Sequence, residues 1–209
     1  MLCVRLDSVH PDAASLGRAA DVLHQGGIVA YPTDTFYGLA ANPSNQQAVE
    51  QLYRIKGRAV DQSIPLIAAD RDQLEAVAGS LSDMTARLAD HFWPGPLTLV
   101  IPVWRGLSFA VHQGRATVAV RVPAHRVARE FSRVFGAPLT STSANRTGKQ
   151  APTTADGVEQ DFGQSIALLL DGGATEGGQP STIVDVTGQR PVLIRAGAVS
   201  WERVLECLR

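Results

Sequence analysis

Hydroxyl, amide and guanidinium groups gather at one kind of place in this 209-residue chain: where a short apolar run gives out. The run Ile28–Tyr31 breaks into Pro32-Thr33-Asp34-Thr35. Thr117 opens and Arg121 closes the run "TVAVR". Leu139 leads into Thr140-Ser141-Thr142-Ser143-Ala144-Asn145, Ser181 precedes "TIVD", and Arg195 ends "VLIR" just before Ala196-Gly197. Lys56 and Arg58 flank Gly57 at the end of a helical pattern. In sheets with helices on their faces, such strand ends commonly meet at one rim. Lys, Arg, Ser, Thr and Asn that converge without a nucleophile–base pair describe an anion site. Such a site suits a substrate with phosphates and a carboxylate, where catalysis is positioning and charge neutralisation. Each piece also has a plainer reading. Lys56 and Arg58 favour a helix C-terminus, "STSAN" can cap or turn a chain, Thr117 and Ser181 can be strand-edge hydroxyls, and Asp34 can brace a turn. Arg121 is harder to dismiss, because a charge among apolar neighbours must reach a rim or find a partner.

Several other chemistries lack their signatures. There is no GxxxxGK[ST] loop, no GxGxxG after the first strand, no HExxH and no GxSxG. His10, His24, His91, His112 and His125 are scattered, and Cys3 and Cys207 lie at opposite ends, so no protein-borne metal site and no disulfide is expected. Net charge is −1, which argues against non-specific coating of nucleic acid, although nearly all of the 19 basic residues are arginine. No apolar run approaches the roughly 20 residues that span a bilayer, and no signal peptide is visible, so a cytoplasmic location is expected.

The elements that must position these groups read as α/β. Helical periodicity runs through Leu16, Ala19, Ala20 and Leu23 and stops at Gly26-Gly27. Ser44 with Gln47 resembles a capping box for a helix burying Ala48, Leu52 and Ile55. "IPLIAA" at 64–69 predicts a strand, Asp70 a helix cap, and 82–92 a helix stopped by "WPGP". "LTLVIPV", "TVAVRVP", "SIALLLDGG", "STIVDVT" and "PVLIRAG" read as strands. One helix is expected to turn Val127, Phe131, Val134 and Phe135 inward, and a last helix from Ser200 to bury Trp201, Val204, Leu205 and Leu208. Polar residues 146–164 read as a mobile loop. Early alternation followed by mostly strands predicts an open, twisted, mixed sheet with flanking helices, one continuous core, a concave basic cleft and a single domain over 1–209.

Taken in order, "GGIVAYPTDTFYGLAAN", "KGR", "FWPGPLTLVIP", "VAVRVP", "STSAN", "LLDGG…PSTIVDV" and "LIRAG" resemble the YrdC family of threonylcarbamoyl-AMP synthases over nearly the whole chain. "PTDT-x-YGL" and "FWPGPLT" are the specific blocks, and the chain looks like the short form without an extra C-terminal domain. The resemblance implies synthesis of threonylcarbamoyl-adenylate from L-threonine, bicarbonate and ATP, with Mg²⁺ accompanying the nucleotide and pyrophosphate released. The product would feed modification of an adenosine beside the anticodon through downstream transfer proteins. By resemblance Lys56, Arg58, Thr117, Ser143, Asn145 and Arg195 would bind ATP, with Lys56 and Arg58 catalytic. Arg121 would hold the threonine carboxylate, and Thr33 or Thr35, Ser141 and Ser181 would complete the amino-acid pocket. The segment after "KGR" is two residues longer than in many members, no histidine follows it and Ala69 stands near that place, "RAG" replaces "RPG", and "QPST" replaces "VEST". Two other classes compete: a silent module holding a tRNA stem on the same face, and a carbamoyl-adenylating relative, which normally carries further domains.

Overall fold

A computed structural model describes residues 1–59 and 63–209. In chain order the elements are β1 (Leu2–Arg5), α1 (Ala13–His24), β2 (Val29–Pro32), β3 (Tyr37–Ala40), α2 (Gln46–Lys56), β4 (Leu66–Ile67), α3 (Arg71–Ala78) and α4 (Asp83–Phe92). They continue with β5 (Leu97–Pro102), α5 (Phe109–His112), β6 (Thr117–Arg121), α6 (Arg126–Phe135), β7 (Leu139–Thr140) and β8 (Thr142–Ser143). The chain finishes with α7 (Ala155–Phe162), β9 (Leu168–Asp171), β10 (Thr182–Asp185), β11 (Val192–Arg195) and α8 (Trp201–Cys207).

The α/β reading holds, but the strands divide into two mixed sheets rather than one. One is ordered β1-β9-β2-β3-β8, the other β11-β10-β5-β6-β4-β7. The five-stranded sheet explains why its sequence runs are apolar without alternation, for both of its faces are covered. Val29 and Tyr31 of β2, Ala40 of β3, and Leu168 and Leu170 of β9 pack with α1 and α6. The intervening Ala30, Leu39 and Leu169 join the larger core on the other side, with residues of α2, α4 and α7. The expected single core is therefore split in two by this sheet. In the six-stranded sheet one face is buried along β5, β6 and β10: Leu97, Leu99 and Ile101, Val118 and Val120, and Val184 enter the larger core, while Ile67 of β4 and Leu139 of β7 join the smaller one. The opposite face is left for the cleft.

Local chemistry sets the helix starts. Asp12, Asp70, Ser82, Thr154 and Ser200 each accept a backbone N–H of the first turn, as N-caps do. The cap of α2 is Asn45, accepting from Ala48 N at 3.1 Å, not the expected Ser44, whose own N–H is held by Asn42. In α6 the buried face is rotated from the expected one. Ser132 turns inward to donate to Gln73 Oε1 at 2.8 Å, Ala128 is buried too, and Val134 at the edge of the stripe is left exposed. In α8 only Val204 is fully buried and Leu205 is exposed, because one stripe of this short helix meets the core. Residues 146–164, expected to be a loop, contain α7, which buries Ala155, Val158 and Phe162 at i, i+3 and i+7. Of 64–69, only Leu66–Ile67 pair as strand. The longer connection after Arg58 includes residues 60–62, which lie outside the described residues.

Phe131 is fully buried between α6 and the five-stranded sheet, with its ring edge-on to Tyr31 at 5.6 Å. Truncating Phe131 to Ala should lower unfolding stability by about 3–5 kcal/mol, read from urea denaturation.

Candidate active site

The open face of the six-stranded sheet forms the floor of a cleft of about 680 Å³. Strand period two decides what it presents. Leu99 pairs with Val120 facing the core, so Val100 and Ala119, the next pair, face the cleft together with Thr98, Thr117 and Arg121. β10 runs parallel to β5 with Ile183 beside Thr98 and Asp185 beside Val100, and Arg195 of β11 pairs with Ile183. The walls come largely from the other sheet: the turn between β2 and β3 carries Thr33 and Thr35, and β8 carries Ser143. Arg58, Arg115, Arg121, Lys149 and Arg195 line the cleft along with, among the described residues, one carboxylate, Asp185. Among the predicted site residues, all but Lys56 line this cavity.

The break "PTDT" is the turn of an antiparallel hairpin, and its two threonines differ. Thr33 is buried; its hydroxyl donates to Phe36 O at 2.7 Å and accepts the N–H groups of Thr35 and Phe36. Thr33 therefore holds the turn closed, while the Thr35 hydroxyl, 3.3 Å from that of Thr33, is the less committed of the pair. Asp34 does more than brace this turn. Its Oδ1 lies 3.1 Å from Arg121 Nη2, both side chains being largely buried.

Lys56 sits beneath the wall. Its ammonium donates to the carbonyls of Ser143 and, at 2.8 Å, Asn145, so it fixes the backbone that carries those two side chains. Burial, with the neighbouring Arg58 charge adding to it, lowers its pKa to about 8. Gly57 caps α2 with φ 60° and ψ 34°, the left-handed conformation that glycine adopts most readily, and the chain reverses there. Arg58 consequently enters the cleft, donating to Ser63 O at 2.9 Å, while its buried Nε has no hydrogen-bond partner. Burial draws the Arg58 pKa down. Asn145 donates to the carbonyls of Arg146 and Lys149, and its buried Oδ1 is left unpaired.

At the other end, Tyr31 donates to Ser141 Oγ at 2.8 Å, and complete burial pushes its phenol pKa up. Ser181 Oγ lies 2.8 Å from Thr98 Oγ1. Arg195 donates through Nε and Nη2 to Ser181 O, the latter at 2.7 Å. The sequence did not single out Tyr31, Thr98, Arg115 or Lys149. Thr98 was legible in principle as an alternate polar residue within "PLTLV", while Tyr31 reads as plain core.

A family model named for Sua5, YciO and YrdC, and described as telomere recombination, matches residues 21–197. The chain belongs to this family. It is 40% identical over 186 residues to a protein named threonylcarbamoyl-AMP synthase from Pyrococcus abyssi, covering 89% of this chain and 55% of that protein. It is 38% identical over 199 residues to one of the same name from Bacillus subtilis, covering 95% and 58% respectively. The chain thus spans little more than half the length of these relatives. The crystal structure of P. abyssi Sua5 complexed with L-threonine superposes with a TM-score of 0.92 at 36% identity, covering all of this chain and 61% of that one. The Sua5/YciO/YrdC architecture therefore extends across both sheets and the cleft between them.

Two measurements probe how this family member holds its cleft. A Cβ on Gly197 would stand 2.2 Å from Pro180 O and 2.6 Å from Ser181 C, both backbone atoms that cannot step aside cheaply. Gly197→Ala should cost about 1–3 kcal/mol in stability and disturb the Ser181–Arg195 contact, visible as a lower melting temperature and altered amide shifts at Ser181 and Thr182. Lys56 is charged below about pH 8 and loses its charge above it. If that charge attracts phosphates, ATP affinity measured by calorimetry should weaken as pH rises through 8, and this limb should vanish in Lys56→Met.

Proposed function

We propose that the protein is a threonylcarbamoyl-AMP synthase, a nucleotidyltransferase acting on L-threonine, bicarbonate or CO₂, and ATP. The observation that carries the reading is one cavity lined by both predicted sets: Arg58, Thr117, Ser143, Asn145 and Arg195 for the nucleotide, and Thr35, Arg121, Ser141 and Ser181 for the amino acid. The similarity to a Sua5 structure holding L-threonine supports it.

In this proposal the threonine amine loses a proton and adds to CO₂, giving a carbamate. A carbamate oxygen then attacks the α-phosphorus of ATP, and the bond to the bridging oxygen breaks to release pyrophosphate. No covalent bond to the protein is needed. Arg58 and Arg195 reduce the repulsion between the carbamate and the phosphates and stabilise the departing charge. Arg121 offers a guanidinium to the threonine carboxylate. Thr33 enters as the residue that shapes the turn, and Thr35 is the hydroxyl offered to the ligand. Lys56 acts from beneath, positioning Ser143 and Asn145 and contributing charge. Mg²⁺ would arrive with ATP and screen its phosphates. Among the described residues no group of three or more His, Cys, Asp or Glu could hold a metal, and Asp185 is the one carboxylate lining the cleft, so phosphates and water would supply most ligands. The adenylate would then pass to transfer proteins that modify tRNA. No helix among the described residues is long and apolar enough to cross a membrane.

The deciding experiment is mass spectrometry of a reaction containing ATP, threonine and ¹³C-bicarbonate. The label should appear in an adenylate, with one pyrophosphate released per adenylate; pyrophosphate release independent of threonine would overturn the assignment. Arg58→Ala should reduce threonine-dependent pyrophosphate release at least about 100-fold while the protein stays folded. Arg121→Ala should act mainly on the threonine KM, raising it about tenfold or more.

A further inference from the structure

Lys56, Arg58, Arg121, Lys149 and Arg195 are held in different ways. Lys56, Arg58 and Arg195 donate to backbone carbonyls, which are neutral and leave the positive charge uncompensated. Exposed Lys149 reaches Asp161 only at 3.7 Å. Arg121 instead faces a carboxylate, Asp34, at 3.1 Å, with the two side chains 10% and 15% exposed. That contact is close but poorly directed. Arg121 Nη1 and Asp34 Oδ1 are both buried and neither makes a hydrogen bond. Asp34 neutralises the guanidinium while leaving a donor unused; Arg121 lines the cavity, and Asp34, between the lining residues Thr33 and Thr35, does not. The groups around this pair include a second cation, Arg195, and, near His125, the carboxylate of Glu176. Tyr31 is kept neutral by burial, and His125 at the start of α6 has its pKa lowered by burial. Arg195 is the other cation in reach, its pKa drawn down by burial and then by Arg121.

We propose that Asp34 is a specificity-determining residue: by cancelling the charge of Arg121 it makes this end of the cleft accept a net-neutral zwitterionic amino acid and disfavour an anion of the same shape that lacks the amine. The inference rests on the synthase reading of the cleft. Without Asp34 the subsite would carry one more uncompensated positive charge and would draw in any small carboxylate more strongly, or the phosphates and pyrophosphate that belong at the other end. At the effective dielectric of a partly buried site, a unit charge a few ångströms behind a ligand alters its affinity by roughly tenfold or more. A carboxylate and an ammonium on one ligand feel that change with opposite signs, so threonine is affected less than an acid with no amine. Asp34 acts through Arg121 and is a positioning residue, not a catalytic one.

The test compares binding of L-threonine with that of 2,3-dihydroxybutyrate, in which a hydroxyl replaces the amine, by calorimetry on the wild-type protein and on Asp34→Asn and Asp34→Glu. The wild type should prefer threonine at least tenfold. Asp34→Asn should lose most of that preference and become inhibited by pyrophosphate in competition with threonine, and Asp34→Glu, which keeps the charge, should retain the preference. A merely structural role would weaken both ligands equally in Asp34→Asn, and that result, or a preference unchanged in Asp34→Asn, overturns the inference while the synthase reading stands. Removing one partner of a buried pair can unfold a protein, so each variant is first checked by thermal melting. If Asp34→Asn does not fold, a wild type that binds the hydroxy acid as tightly as threonine still overturns the inference. A wild type that binds neither threonine nor its analogue overturns the synthase reading itself, and the inference with it.

Discussion

The register between β5 and β6 is the constraint on which the cleft depends. Leu99 faces Val120 and Ile101 faces Val118 on the buried side, so Val100 and Ala119, with Thr98, Thr117 and Arg121, are committed to the other. A slip of one residue would bury Arg121 and Thr117 in the large core and turn Val118 and Val120 to solvent. The hydrophobic drive that closes the core is therefore what places the polar floor. β10 extends the same register, and β11 brings Arg195 beside Ile183. The floor needs no separate stabilisation; it is the reverse side of a packed sheet.

The walls are held differently, by polar groups satisfying backbone. Thr33 closes the hairpin turn, Lys56 grips the carbonyls beneath Ser143 and Asn145, and Arg195 is tied to the carbonyl of Ser181. These bonds give long cationic side chains a fixed place before any ligand arrives, so less rotamer freedom remains to be lost on binding. They also leave donors and acceptors such as Arg58 Nε and Asn145 Oδ1 unsatisfied, which ordinary packing would avoid. At the Asp34–Arg121 pair charge is cancelled instead of preserved.

Much of this was legible in the residues. Amphipathic periodicity located α1, the stop at "WPGP" located α4, and the recurrence of polar groups at strand ends pointed to a shared cavity that the structure lines with them. The failures have physical reasons. Splitting of the strands into two sheets leaves no local mark, because β2, β3 and β9 are apolar whichever sheet they enter. The helix α7 hid behind Asp156, Gly157, Glu159 and Asp161, whose polarity masks a buried stripe of three residues. For Lys56 the residues alone give a cation at a helix end, because sequence cannot say which way a helix-terminal side chain turns, and here it turns under the wall. Asp34 was ambiguous for a related reason: its partner, Arg121, is 87 residues away and meets it only through the tertiary fold.

Arginine's dominance of the cleft has a consequence for durability. Lys56 and Lys149 are the only lysines in the chain. The mixed anhydride of the proposed reaction is an electrophile, and a cleft lined with free primary amines would be carbamoylated by its own product. Guanidinium groups remain protonated and do not attack. Of the two amines, that of Lys56 is turned away and occupied by carbonyls, while that of Lys149 is solvated beside Asp161. In the proposed reaction such a cleft would offer a reactive acyl donor many positive charges and, in Lys149, a single lining amine.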